Sequence, residues 1–213
     1  MANVEDSRFF RLFEVQPRKG DLRKLEIVLG AVRLIATRGA DQVTLDSVGK
    51  GLGVRRSHVA YYFATREELI ESVIQLIIAT GQDILIETVK TARTPREGIE
   101  KHVEGHCEWL RKYPEHAAVM LMFYYQCTYD KKMRALNTEI RSKGQDRIVG
   151  MLDQFPKFKK LKRLQKIKLA ADYQNILTGH LIAHFSSAGS KDLRAVRESI
   201  LNCLWALLTP YLP

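Results

Sequence analysis

Residues 53–66 read GVRRSHVAYYFATR. Arg55, Arg56, Ser57, His58, Tyr61, Tyr62 and Arg66 fall within one short stretch, and Thr44 lies shortly before it. Guanidinium forks can bond guanine O6 and N7 in pairs. Hydroxyl, phenol and guanidinium donors also suit phosphate oxygens. The chemistry is recognition of an anionic, base-bearing polymer rather than bond making. A second constellation is histidine-based. His102 and His106 are four apart with Cys107 adjacent, and His180 and His184 repeat the spacing. Such pairs can share a metal on one helix face. Neither pair forms HExxH, so no general base is supplied. They read as ordinary core or surface histidines. The chain has no GxSxG, P-loop or GxGxxG motif. The expectation is no catalytic residue, no metal and no cofactor.

The basic-aromatic stretch needs a scaffold. Two helices crossing steeply over a short turn require a small residue at the crossing, a glycine in the turn and apolar residues facing inward. With Gly53 as the turn, Gly49 is the crossing residue. Val48, Leu52, Val54, Val59 and Tyr62 then face inward. Arg55, Arg56, Ser57, His58 and Tyr61 point out at the start of the second helix, the end that enters a major groove in a helix-turn-helix. The bland alternative is an αα-hairpin with a solvated polar face.

The flanking pattern is helical throughout. Leu25, Val28, Leu29, Val32 and Ile35 predict a helix from about Asp21 to Arg38, ended by Gly39. Thr44 is the expected N-cap of a helix reaching about Leu52, and a second short helix covers about Arg55 to Phe63. Thr65–Glu68 and Thr94–Glu97 are capping boxes that open helices to about Val89 and Arg111. Pro114 opens a stretch rich in Met and aromatics, MLMFYYQCTY. Helices near 130–153, 158–187 and 191–209 follow. The fold class is all-α: an N-terminal three-helix helix-turn-helix domain (21–65) after an arm (1–20), then a C-terminal helical bundle (66–213) for ligand binding and dimerisation.

Charge divides the same way. The 213 residues carry a formal +10. Residues 1–66 hold twelve Lys/Arg and seven Asp/Glu, or +5; Lys157, Lys159, Lys160, Lys162, Arg163, Lys166 and Lys168 add +7; the remainder is −2. A basic balance implies an anionic partner. The second block reads as a solvated helix start, or as a contact for an acidic partner or membrane lipid. The arm, with Phe9, Phe10 and Phe13, reads as a free tail or as a segment that docks. Arg18 and Lys19 are placed to enter a minor groove. Three scattered cysteines (Cys107, Cys127, Cys203) fit reduced thiols. The N-terminus does not read as a signal peptide. No apolar run is expected to span a bilayer, so a cytoplasmic location is expected.

From Leu25 to about Ile74 the sequence resembles the TetR family of bacterial transcriptional regulators. The resemblance is carried by the amphipathic first helix, VTLDSVGKGLGV (43–54), AYYF (60–63) and TREEL (65–69). It implies a homodimer that binds double-stranded DNA at a pseudo-palindromic operator. By position it implies that Arg56, Ser57, His58 and Tyr61 read base edges, and that Thr44, Tyr62 and Arg66 meet phosphates. Two departures stand out. Members often have Ser or Thr where Arg55 stands, as the cap of the recognition helix, so either this helix starts uncapped or Ser57 shifts its start. Members often have tyrosine where Ala60 stands, and Arg55 offers a phosphate contact in its place.

The resemblance also implies a small-molecule effector in the C-terminal bundle, with Trp109, Met122, Tyr125 and Tyr173 as pocket candidates. The last two helices carry Ala170, Ala171, Ile176, Gly179 and Ala183, then Leu193, Val196, Ile200, Leu204 and Leu207; paired with a second copy they would form a four-helix interface. The expected function is a repressor released from its operator by the effector. The competing readings are a non-specific or architectural DNA-binding protein without a ligand, and a helical metal protein or enzyme.

Overall fold

The computed structural model describes residues 19–187 and 192–212. The arm residues Phe9, Phe10, Phe13 and Arg18 lie outside them. The described residues form helices and turns with no strand. In order the helices are α1 (Lys19–Arg38), α2 (Leu45–Gly51), α3 (Arg56–Tyr62), α4 (Arg66–Lys90), α5 (Pro95–Lys112), α6 (Glu115–Gln126), α7 (Lys131–Leu152), α8 (Pro156–Lys159), α9 (Arg163–Ser187) and α10 (Arg194–Leu208). Single 3-10 turns occupy Ala40–Gln42 and Thr209–Tyr211. The chain divides into two compact units, Met1–Asp83 with Lys112–Tyr124, and Ile84–Arg111 with Tyr125–Pro213.

In the first unit, α1 buries Leu25, Val28, Val32 and Ile35 of the stripe its periodicity predicts, leaves Leu29 half-buried, and adds Ile27 and Ala31. Gly39 ends it with φ 83°, a backbone state that costs glycine little. Val43, Val48, Val59, Phe63, Leu69, Ile70, Val73, Ile74 and Ile77 complete a core in which each is almost wholly buried. Helix α4 begins where the sequence indicates: Thr65 Oγ1 accepts from Glu68 N–H at 3.2 Å, and Glu68 Oε2 accepts from Ala64 N–H at 2.9 Å. The expectation that nothing is apolar enough to span a bilayer is corrected in one respect. Helix α4 is long and apolar enough by length and composition, with hydropathy 1.6 over 18 residues. Leu69, Ile70, Val73, Ile74 and Ile77 of this helix belong to the core, and 44% of the stretch is buried.

In the second unit, Thr94 Oγ1 caps α5 by accepting from Glu97 N–H at 3.1 Å. Asp130 Oδ1 caps α7 through Lys132 N–H at 2.7 Å and Met133 N–H at 3.2 Å. Helix α9 packs against both α7 and α10. Ala170, Leu193, Val196, Ile200 and Leu204 are buried within this single chain. Gly179, Ala183 and Cys203 remain exposed. The helix expected from about residue 158 is in fact two. Helix α8 is a single turn pinned by the fully buried Phe158, and α9 restarts at Arg163 with Gln165 Oε1 accepting from Lys162 N–H at 3.0 Å. Cations crowd this start, where the helix dipole disfavours them; Lys162, Arg163 and Lys168 are exposed, while Lys166 is part-buried and pairs with Asp153 at 2.6 Å.

Candidate nucleic-acid interface

Helix α2 is fixed at its start by a reciprocal cap. Thr44 Oγ1 accepts from Ser47 N–H at 3.0 Å, and Ser47 Oγ accepts from Thr44 N–H at 2.8 Å. Thr44 is exposed, and its own O–H is left to donate outward. At the far end Gly53 takes φ 67°, and Val54 N–H donates to Gly49 O at 2.9 Å. A Cβ at Gly49 would lie 2.9 Å from the Val54 carbonyl oxygen. The sequence therefore puts the small residue and the turn glycine where the backbones demand them. Gly49→Ala is expected to destabilise the protein by about 1–3 kcal/mol, because a backbone oxygen must shift to admit the methyl. Gly51→Ala is the control, since its Cβ meets nothing. Denaturant unfolding of the two variants separates crowding from helix propensity.

Helix α3 has only seven residues, too few to persist alone in water. Val59, wholly buried in the α2–α3 crossing, and Phe63 just past its end hold it down. Leu52, Val54 and Tyr62 are only half-buried. Arg55 is the N-cap residue in extended backbone (φ −72°, ψ 150°), and its side chain makes no cap bond. The helix therefore starts uncapped by a side chain, and Ser57 does not shift the start.

Arg55, Arg56, Ser57, His58 and Tyr61 all stand exposed, Tyr61 by 83%. The Tyr62 ring meets the edges of His58 (centroids 5.6 Å) and Tyr61 (5.1 Å). Arg66 is differently placed. Its Nε donates to Val43 O at 2.8 Å and its Nη2 to Ala40 O at 2.9 Å. These bonds tie the start of α4 to the segment leading into Thr44.

One residue of this surface was not singled out in the sequence. Arg23 of α1 joins Val54, Arg55, Ser57, His58 and Tyr61 around an open hollow of about 550 Å³. Its Nε donates to His58 Nε2 at 3.0 Å. The two residues are 35 apart in sequence, and no local spacing signals the pair.

The other candidates are scattered. Tyr173 is fully buried, with its hydroxyl 3.1 Å from His102 Nδ1. The His102 ring lies 4.8 Å from that of His106, which in turn lies 6.5 Å from Trp109. His106 Nδ1 is 3.1 Å from the His102 carbonyl oxygen, so Nδ1 carries the proton. Burial first, then the neighbouring His106 and Arg147, hold His102 well below the usual histidine range. Burial lowers His106 to about 4 against a partial offset from that backbone bond. Met122 is buried in the first unit. Tyr125 is 68% exposed and meets Tyr129 edge-on. His180 Nδ1 faces Ile176 O at 2.7 Å and its Nε2 faces Cys203 Sγ at 3.8 Å. Among the described residues no group of three or more His, Cys, Asp or Glu side chains is arranged to hold a metal. All three cysteines are free, and burial pushes the Cys107 thiol up to about 11.

Residues 27–73 match the family described as bacterial regulatory proteins, tetR family. Along a longer stretch the chain is similar to the HTH-type transcriptional regulator BetI of Rhizobium meliloti (strain 1021), 26% identical over 115 residues. That match spans 54% of this chain and only 57% of the relative. It is also similar to BetI of Brucella abortus (strain 2308), 24% identical over 172 residues, spanning 80% of this chain and 84% of that one. In three dimensions it resembles a transcriptional regulator from Saccharomonospora viridis crystallised with choline. The TM-score is 0.73 at 19% identity, over 86% of this chain and 95% of the other. Taken with the Gly49–Gly53 crossing and the exposed face of α3, the match over residues 27–73 identifies in this chain a helix-turn-helix of the TetR family of DNA-binding transcriptional regulators.

Proposed function

We propose that the protein is a homodimeric repressor that binds a pseudo-palindromic operator in the cytoplasm and leaves it when a small molecule occupies the C-terminal bundle. The observation that carries the reading is the exposed row Arg55, Arg56, Ser57, His58 and Tyr61 on a helix held by Val59. In this reading residues 21–65 form the DNA-binding domain and 66–213 the effector and dimerisation domain. By position Arg56, Ser57, His58 and Tyr61 are the candidate readers of base edges in the major groove. Thr44, Arg55 and Tyr62 meet phosphates, and Arg66 holds the Thr44 segment for that contact. The exposed faces of α9 and α10 supply the dimer interface. Trp109, Tyr125 and Tyr173 are the effector candidates in the second unit, with Trp109 and Tyr173 joined through His102 and His106. An effector must bind the two states of the dimer unequally to release DNA. Choline, the ligand of the Saccharomonospora protein, heads the panel to be tested for release.

Arg56→Ala tests the reading. It is expected to weaken binding to the selected operator by about 1–3 kcal/mol and to relax preference at one base pair. Electrophoretic mobility shifts on operator and random duplexes measure both. An equal loss on the two would make Arg56 a phosphate contact. No loss on either would remove α3 from the interface.

A further inference from the structure

We propose that Arg23 is a DNA phosphate contact delivered from α1, and that His58 is the residue that positions it rather than a reader of bases. The inference rests on α3 being the DNA-reading helix. It changes what one exposed residue of that helix does and adds a contact from another element.

The protonation pattern comes first. Arginine Nε–H can only donate. Its 3.0 Å bond to His58 Nε2 therefore requires the lone pair on Nε2 and the proton on Nδ1. The partner's bond fixes the tautomer. Nε2 is the ring nitrogen farther from the backbone and the one with the reach to meet a base edge. Here it is already used. His58 keeps only Nδ1–H, close to its own main chain.

Arg23 is in the opposite position. Its Nε is held by His58, and its Nη1 is paired with Glu26 one helical turn along α1. Two of its three nitrogens are thus anchored, and the planar guanidinium is fixed as a rigid fork. The Nη2 donors are left for a ligand. Arg23 lines the hollow with Arg55, Ser57 and Tyr61, so donors from two helices converge on one open site. A tetrahedral, charged phosphate oxygen cluster satisfies such donors, and guanidinium–phosphate pairing is among the stronger charge-assisted bonds. A base is the poorer fit. The major groove, about 12 Å wide, is filled by one helix, so a residue from the helix beside it meets the strand.

The experiment is a double-mutant cycle on the full-length protein, using fluorescence anisotropy with operator and random duplexes across a salt series. Arg23→Ala and His58→Ala are each expected to weaken both duplexes by the same factor, about tenfold, which corresponds to about 1.4 kcal/mol. The salt slope should fall by about one. The double variant should lose no more than either single one, because the two residues act as a unit. His58→Gln should restore affinity on both duplexes, since its amide oxygen can accept from Arg23. Unchanged thermal melting of the variants confirms that folding is intact. A loss confined to the operator for His58→Ala, or a switch toward adenine in His58→Gln, would make His58 a base reader and overturn the proposal. An unchanged affinity in Arg23→Ala would also overturn it. Arg56→Ala, run in parallel, separates the cases: if it behaves as expected while Arg23→Ala does not, only this inference fails.

Discussion

Acidification from pH 6.5 toward 4 is expected to remove several kcal/mol of stability from this protein. His116, 3% exposed and stacked on Tyr113 at 4.9 Å, is lowered by burial from 6.5 to about 4. His106 is lowered to about 4 as well, with burial the leading cause. Above pH 6.5 these rings are neutral in both folded and unfolded chains, and nothing changes. Between 6.5 and about 4 the unfolded chain takes up the protons and the folded one does not, so stability falls as pH falls. Below about 4 both states are protonated and the loss is complete. A depression of this size corresponds to about 3 kcal/mol per group. His102 shifts in the same direction. Two such losses rival the roughly 5–15 kcal/mol that holds a typical domain. Urea unfolding at pH 7 and pH 4.5 checks the expectation, and His116→Gln should remove part of the difference. A flat profile across the window would show that these rings are hydrated in solution.

Phe63→Ala is expected to abolish DNA binding by releasing the reading helix. Phe63 is almost wholly buried, and the Lys24 ammonium lies 5.2 Å from its ring centre. Truncating a buried phenylalanine costs about 3–5 kcal/mol. The cost falls on a seven-residue helix with no side-chain cap, whose other wholly buried anchor is Val59. Lost packing therefore becomes lost geometry at Arg56 and Tyr61. Phe63→Leu, which keeps most of the volume, should cost less than about 1.5 kcal/mol and retain binding. Denaturant midpoints together with operator affinity check both variants. Full affinity in Phe63→Ala would show that α3 is held by something other than this core.

Local steric rules made much of the first unit, and the start of α5 in the second, readable in advance. The Thr44, Thr65 and Thr94 caps, the Gly53 turn and the Gly49 crossing each depend on residues within a few positions of one another. A single sequence displays such relations directly. What escaped depends on distance or competition. The Arg23–His58 bond joins residues 35 apart, and only the packing of α1 brings them together. Arg66 looks like any exposed cation in sequence, yet its fork spans two main-chain carbonyls more than twenty residues away. The break before Arg163 was hidden because Phe158, Leu161 and Leu164 keep a helical period through it. Phe158 is buried from the single turn of α8, and the restart at Arg163 leaves Leu164 79% exposed. The aromatic stretch 120–129 shows a further limit: Met122 and Phe123 go inside while Tyr125 and Tyr129 face water, and composition alone does not assign the sides.

The central claim is that α3 reads DNA sequence. Selection of bound duplexes from a random library at about 0.15 M salt, followed by affinity measurements on the enriched pool, tests it most directly. The account predicts a two-fold symmetric motif bound about a thousandfold or more tighter than random duplex. An unenriched pool, with a specificity ratio near one and affinity that merely tracks salt, would contradict it.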